Sequence, residues 1–121
     1  MKVLLVPFGS YGDVHPFVGL GLELKRRGHD IVMITNAHFR KMAEAAGFEF
    51  VETSSEEIYR ESMDNELLWH PNKGFPYLAQ NFVIPMIRPI YDIIHDLYQP
   101  GETIAVSGSL AFGARLAQEK L

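Results

Sequence analysis

The densest chemistry in the chain lies in the run Gly9-Ser10-Tyr11-Gly12-Asp13-Val14-His15-Pro16. Gly9 and Gly12 permit a tight turn and close approach of a substrate to backbone amides, and Ser10 adds a hydroxyl donor. A helix beginning near Pro16 would present its positive dipole end to an anion, so the loop has the parts needed to hold a phosphate. Asp13 and His15 are two titratable groups at the mouth of the presumed cleft, and either type of side chain can take a proton from a hydroxyl. The plainer alternative is that Asp13 caps the helix and His15 is a cap or a solvated ring.

The spacing excludes the commonest nucleotide motifs. The glycines stand as Gly9-x-x-Gly12 rather than G-x-G-x-x-G, and the second strand ends at Thr35-Asn36 without a ribose-binding carboxylate. The Gly-Lys-Ser/Thr of a P-loop is missing as well, which disfavours NAD and ATP. With no cysteine in the chain, a metal would need histidine or carboxylate ligands. His29 reads as a helix-end residue, and His38, His70 and His95 are too scattered for ligand spacing, so no metal site is expected.

The elements that must position these residues alternate. Val3–Val6 is a short apolar run stopped by Pro7 and Gly9, as in a strand buried on both faces. Phe17, Leu20 and Leu24 recur at helical spacing up to Gly28, with Lys25, Arg26 and Arg27 suited to the negative dipole end. Close helix-to-sheet packing explains the glycines Gly19 and Gly21 inside that pattern. A strand over Ile31–Thr35, a helix over Ala37–Ala46 and a short strand over Phe48–Val51 complete a βαβαβ order. Such alternation predicts an α/β fold, a parallel sheet with helices on both faces and right-handed crossovers.

Beyond it, residues 52–75 are polar and acidic, with a short helix expected near Glu56–Asp64 and a loop through His70–Gly74. Residues 76–98 read as a long apolar helix interrupted by Pro85 and Pro89. That stretch, with Phe82 and Met86 near its middle, either lines an apolar acceptor pocket, touches a membrane surface or packs into the core. A fourth strand follows at Thr103–Val106, then a fourth helix over Leu110–Leu121. In an open parallel sheet the ligand prior falls on the loops after the strands.

The chain has 121 residues, 47% of them hydrophobic and 21% charged, which suits one globular domain and excludes disorder or a coiled coil. Its net charge of −4 argues against a nucleic-acid partner. The acid is concentrated: residues 1–41 carry +3, residues 42–75 carry −6 and residues 76–121 carry −1. The amino terminus lacks a signal-peptide pattern and no segment approaches a membrane span, so a cytoplasmic location is expected, with peripheral membrane contact as its variant. The last helix stops at Glu119-Lys120-Leu121 without a closing Gly or Asn, and the expectation is that the chain is the front part of something longer.

The residues Gly9 to Pro16, followed by Leu24-x-x-x-Gly28-His29-Asp30-Ile31, resemble the amino-terminal domain of GT-B glycosyltransferases. The likeness is to the branch containing sterol glucosyltransferases, glycopeptide-antibiotic glycosyltransferases and rhamnosyltransferases. Leu110–Ala117 is similar to that family's helix after the fourth strand. The resemblance implies a Rossmann-like half of a GT-B fold and inverting transfer of a sugar from a nucleotide diphosphate donor to an acceptor hydroxyl. It implies no cofactor, the nucleotide sugar being a co-substrate.

By the same resemblance Asp13 is the general base, with His15 as the second candidate for base or acceptor positioning. Partial burial of the Asp13 carboxyl would suit that role. Gly9, Ser10 and Gly12 would approach the donor diphosphate, and Phe82 and Met86 would contact a lipid, sterol or hydrophobic small molecule. Relatives often carry an Asp in the loop after the fourth strand where this sequence has Gly108, which argues against a His-Asp dyad. The family binds its nucleotide mainly through a carboxyl-terminal domain, so residues 1–121 would be the acceptor-side domain, inactive alone. The rival reading is a non-catalytic binding module, or the membrane-recruiting half of a split glycosyltransferase.

Overall fold

The computed structural model describes every residue except Ser10, and every side chain except those of Ser10, Tyr11 and Ser62. Four parallel strands, β1 (Lys2–Val6), β2 (Asp30–Thr35), β3 (Glu49–Glu52) and β4 (Thr103–Ser107), stand in the order β3-β2-β1-β4. The chain thus builds outward from β1 in one direction, then crosses back to add β4 on the other side. That reversal beside β1 creates the crevice in which doubly wound sheets bind ligands.

The unbroken apolar runs of β1 and β2 make sense because both faces of the sheet are covered. Val3, Leu5, Ile31 and Met33 pack with Val14, Phe39, Ala43 and Phe48 on one face. Leu4, Val6, Val32 and Ile34 pack with Ile90, Ile94, Ala111, Ala114 and Ala117 on the other. Alternate side chains of one strand therefore feed two cores, the period-2 geometry of a pleated strand. Leu4, Leu5, Met33 and Ile34 are fully buried, each contributing roughly 1.5–3 kcal/mol of transfer free energy.

Helix α1 (Tyr11–Arg26) and helix α2 (Arg40–Ala45) cover the first face; α2 is preceded by a 3₁₀ turn over Ala37–Phe39. The predicted start of α1 near Pro16 is corrected. The helix begins at Tyr11, more than a turn upstream, and Pro16 lies inside it. Pro16 cannot donate to the Gly12 carbonyl, so the helix gives up one backbone bond in its second turn. Gly21 meets the expectation of close packing, since a Cβ there would lie 2.5 Å from Phe48 and 3.0 Å from Leu5. Gly19 does not: nothing stands within 4 Å of the place its Cβ would occupy.

The acidic segment forms α3 (Glu56–Asp64) as predicted, then a 3₁₀ turn over Glu66–Trp69 where part of a loop was expected. The apolar stretch is α4 (Gly74–Leu78), a π-helical turn over Ala79–Val83 and α5 (Ile84–Leu97). The interruption falls immediately before Pro85, which has no amide for the Asn81 carbonyl; the Ile84 amide instead reaches back five residues to Ala79. Pro89 is absorbed within α5. After β4, helix α6 (Phe112–Lys120) lies against α5, its contact made by Gly113, Ala114 and Ala117.

Candidate functional site

A cleft of about 270 Å³ opens at the carboxyl ends of the strands. Its floor is Pro7, Phe8 and Gly9 after β1, Ile34, Thr35 and Asn36 at the end of β2, Thr53 and Ser54 after β3, and Leu110 after β4. One wall comes from α3 and the following turn through Ile58, Tyr59, Met63, Leu68 and Trp69. The opposite wall is Leu78, Phe82, Met86 and Ile90, which repeat every four residues as a stripe along α4, the π turn and α5. The lining is mainly apolar, its polar residues being Asp13 and Thr35, Asn36, Thr53 and Ser54 at the ends of β2 and β3, beside the aromatic Tyr59 and Trp69.

Asp13 lines this cleft and His15 does not. Asp13 lies in the first turn of α1 and His15 two residues further on, about 200° around the axis, so they cannot face one site together. Asp13 is exposed at the rim rather than partly buried, which corrects the expectation for its carboxyl. Gly9 adopts φ +126°, a conformation side chains rarely take, and a Cβ there would collide with the Asp13 carboxylate. The turn therefore requires glycine on two grounds, and that turn sets Asp13 against the end of β1.

Gly12 lies in the first turn of α1 with open space beside it, compatible with close approach of a ligand to the backbone. Ser10 lies outside the described residues. Phe82 and Met86 both line the cleft and are half-buried. The stretch from residue 75 to 98 divides its residues: Val83 and Ile94 are buried, Phe82 and Met86 line the cleft, and Ile90 does both. Phe75 and Ile84 remain exposed. Among the described residues no group of three histidines or carboxylates is placed to hold a metal ion, and no helix is long and apolar enough to cross a membrane.

Sequence reading missed the α3 wall and the device that holds it. Asn36 accepts a hydrogen bond from the His38 amide at 2.8 Å and donates to Ser54 Oγ at 2.6 Å and to the Ser55 carbonyl at 2.9 Å. The His38 ring stacks on Tyr59 at 4.2 Å, and its Nδ1 donates to Glu56 Oε1 at 3.2 Å. Phe39 meets Tyr59 edge to face at 5.4 Å. The end of β2 is thereby tied to the start of α3. The available signals were the single tryptophan inside an acidic segment and the rule that every strand-exit loop faces the crevice.

The His38 hydrogen bond, followed by the charge of Arg60, holds the Glu56 carboxyl below the ordinary carboxylate range. A folded-state pKa below the unfolded one gives stabilisation that is complete above the ordinary glutamate value of about 4.3. It is lost as pH falls through the lower folded value. Glu56→Gln is therefore expected to flatten the acid limb of the melting-temperature curve below about pH 4. An acid limb as steep as wild type would show that the tie contributes nothing.

The family model of the Glycosyltransferase family 28 N-terminal domain matches residues 3–92. The chain is 36% identical over 81 residues to the sterol 3-beta-glucosyltransferase of Saccharomyces cerevisiae (strain YJM789), covering 61% of this chain and 7% of that protein. It is 44% identical over 50 residues to the O-mycaminosyltylonolide 6-deoxyallosyltransferase of Streptomyces fradiae, covering 41% of this chain and 12% of that one. Among solved structures, the calicheamicin glycosyltransferase CalG4 matches with a TM-score of 0.71 at 24% identity, over 98% of this chain and 30% of that chain. The chain thus spans a small part of the length of these relatives, and the structural match bears on the fold.

Proposed function

The chain belongs to the glycosyltransferase family 28 N-terminal domain family, and we propose that it is the acceptor-binding, base-supplying domain of an inverting glycosyltransferase. The observation that carries this reading is a mainly apolar cleft at the strand ends whose only carboxylate among the described lining residues is Asp13. The acceptor is a hydrophobic molecule bearing a hydroxyl, its apolar body lying between the α3 wall and the stripe Leu78–Phe82–Met86–Ile90. The donor is a nucleotide diphosphate sugar, held in greater part by a carboxyl-terminal domain, and this chain alone is inactive.

In the reaction, the acceptor oxygen forms a bond to the anomeric carbon as the bond from that carbon to the diphosphate oxygen breaks. The hydroxyl proton passes to the Asp13 carboxylate, and the electron pair of the broken bond leaves on the diphosphate. Attack opposite the leaving group inverts the anomeric centre. Gly9 and Gly12, beside the start of α1, offer backbone amides to the charge growing on the diphosphate, and the family likeness adds Ser10 as a third contact to the donor. His15 takes no direct part in this scheme.

The apolar wall provides the first test. Phe82→Ala is expected to raise acceptor KM about tenfold, the equivalent of losing roughly half a buried phenyl contact, with little change in kcat. A fall in melting temperature with normal KM would assign Phe82 to packing alone. A native gene product in which no donor-binding domain accompanies this one, in cis or as a partner chain, would favour a non-catalytic binding module.

A further inference from the structure

Resting on the cleft as the acceptor site, we infer that Tyr77 is a positioning residue for it: the Tyr77 hydroxyl clasps Asn65, and the clasp holds Trp69 against the acceptor from the wall opposite Phe82. Trp69 closes the 3₁₀ turn after α3 and lines the cleft, yet it is 69% exposed. A ring so exposed has little packing of its own, so its place depends on the hydrogen bonds of the turn that carries it. Its Nε1 donates to the Met63 carbonyl at 3.1 Å, in the last turn of α3, where carbonyls have no partner within the helix. With the polar edge engaged there, what the indole offers a ligand is its hydrocarbon face.

The turn is fastened by one side chain used twice. Asn65 Oδ1 accepts from the Leu67 amide at 2.9 Å, which starts the turn, and Asn65 Nδ2 donates to the Tyr77 hydroxyl at 2.8 Å, which ties the turn to α4. Both residues are half-buried, so the bond is partly shielded from water. The Tyr77 ring in turn meets Phe82 edge-on, with centroids 5.7 Å apart. Contacts therefore run from the turn bearing Trp69 through Asn65 and Tyr77 to Phe82, joining the two walls. Tyr77 is not itself a lining residue, so it acts on the ligand only through the residues it places.

Trp69 is the single tryptophan, so its emission reports on this wall directly. The chain would be titrated with decahydro-2-naphthol, an apolar alcohol transparent where indole absorbs, with binding read by calorimetry and by Trp69 emission. In the wild type the emission is expected to move to shorter wavelength as the alcohol covers the exposed ring. Tyr77→Phe keeps the ring beside Phe82 and removes only the hydroxyl. It should lower affinity about fivefold and lower the Trp69 anisotropy of the free protein, with a melting temperature only a few degrees below wild type. In an Asn65→Ala background the same substitution should have no further effect, since the clasp is already gone. Wild-type affinity and anisotropy in Tyr77→Phe, a full additional loss in the Asn65→Ala background, or binding without an emission shift overturns the inference and leaves the apolar cleft reading intact. Failure of the alcohol to bind overturns both. Melting curves identify an Asn65→Ala variant that fails to fold, and Tyr77→Phe then carries the test.

Discussion

Asp13→Asn is expected to lower the rate of glycosyl transfer by about a hundred- to ten-thousand-fold in the protein that carries this domain, with acceptor KM and melting temperature nearly unchanged. Asparagine preserves size and the packing against the Gly9 turn but cannot accept the acceptor proton as the new bond forms. Because Asp13 is exposed at the rim, its replacement leaves no buried charge unpaired, so the loss should appear in kcat rather than in folding. His15→Asn provides the contrast. On the far side of the same helical turn, it should leave turnover close to wild type. A collapse of activity in His15→Asn with retention in Asp13→Asn would exchange the two roles.

The second large effect is on stability and comes from one glycine. A Cβ at Gly113 would strike the Ile87 carbonyl and lie 2.9 Å from Ile90 Cβ and 3.0 Å from the Tyr91 amide nitrogen. These are mostly backbone atoms of α5, which cannot rotate aside, so Gly113→Ala must push α6 from α5 and open the core around Ala114 and Ala117. The expected cost is about 3 kcal/mol, or about 10 °C in melting temperature for a domain of this size. Gly19→Ala is the control with opposite sign. Its site is open and helical, and alanine there should stabilise by about 0.5–1 kcal/mol. Similar melting temperatures for the two variants would show that the α5–α6 contact is looser than this packing implies.

The two glycines also mark a boundary in what can be read from sequence. Gly113 and Gly19 look alike in the chain, each an interruption of a helical pattern. The difference lies in whether another backbone stands opposite, and no local pattern encodes that. Gly21 was correctly assigned to close packing, but the same argument applied to Gly19 failed for want of a neighbour.

The alternation of strands and helices, the parallel sheet and the span Glu56–Asp64 were legible because they follow from periodicities of two and 3.6 residues and from local caps. The family likeness was legible for a related reason, since the motif from Gly9 to Pro16 is contiguous. The start of α1 was not, because Pro16 marks a favoured first position yet can be absorbed within a longer helix at the loss of one hydrogen bond. That shift decided which of Asp13 and His15 reaches the cleft: in a loop either can turn toward it, whereas in a helix they diverge. The α3 wall depends on groups from separate strand exits and on the Asn36 and His38 ties between residues 18 positions apart. Such contacts arise only when the sheet brings its carboxyl ends together, so tertiary structure alone decided what faces the ligand.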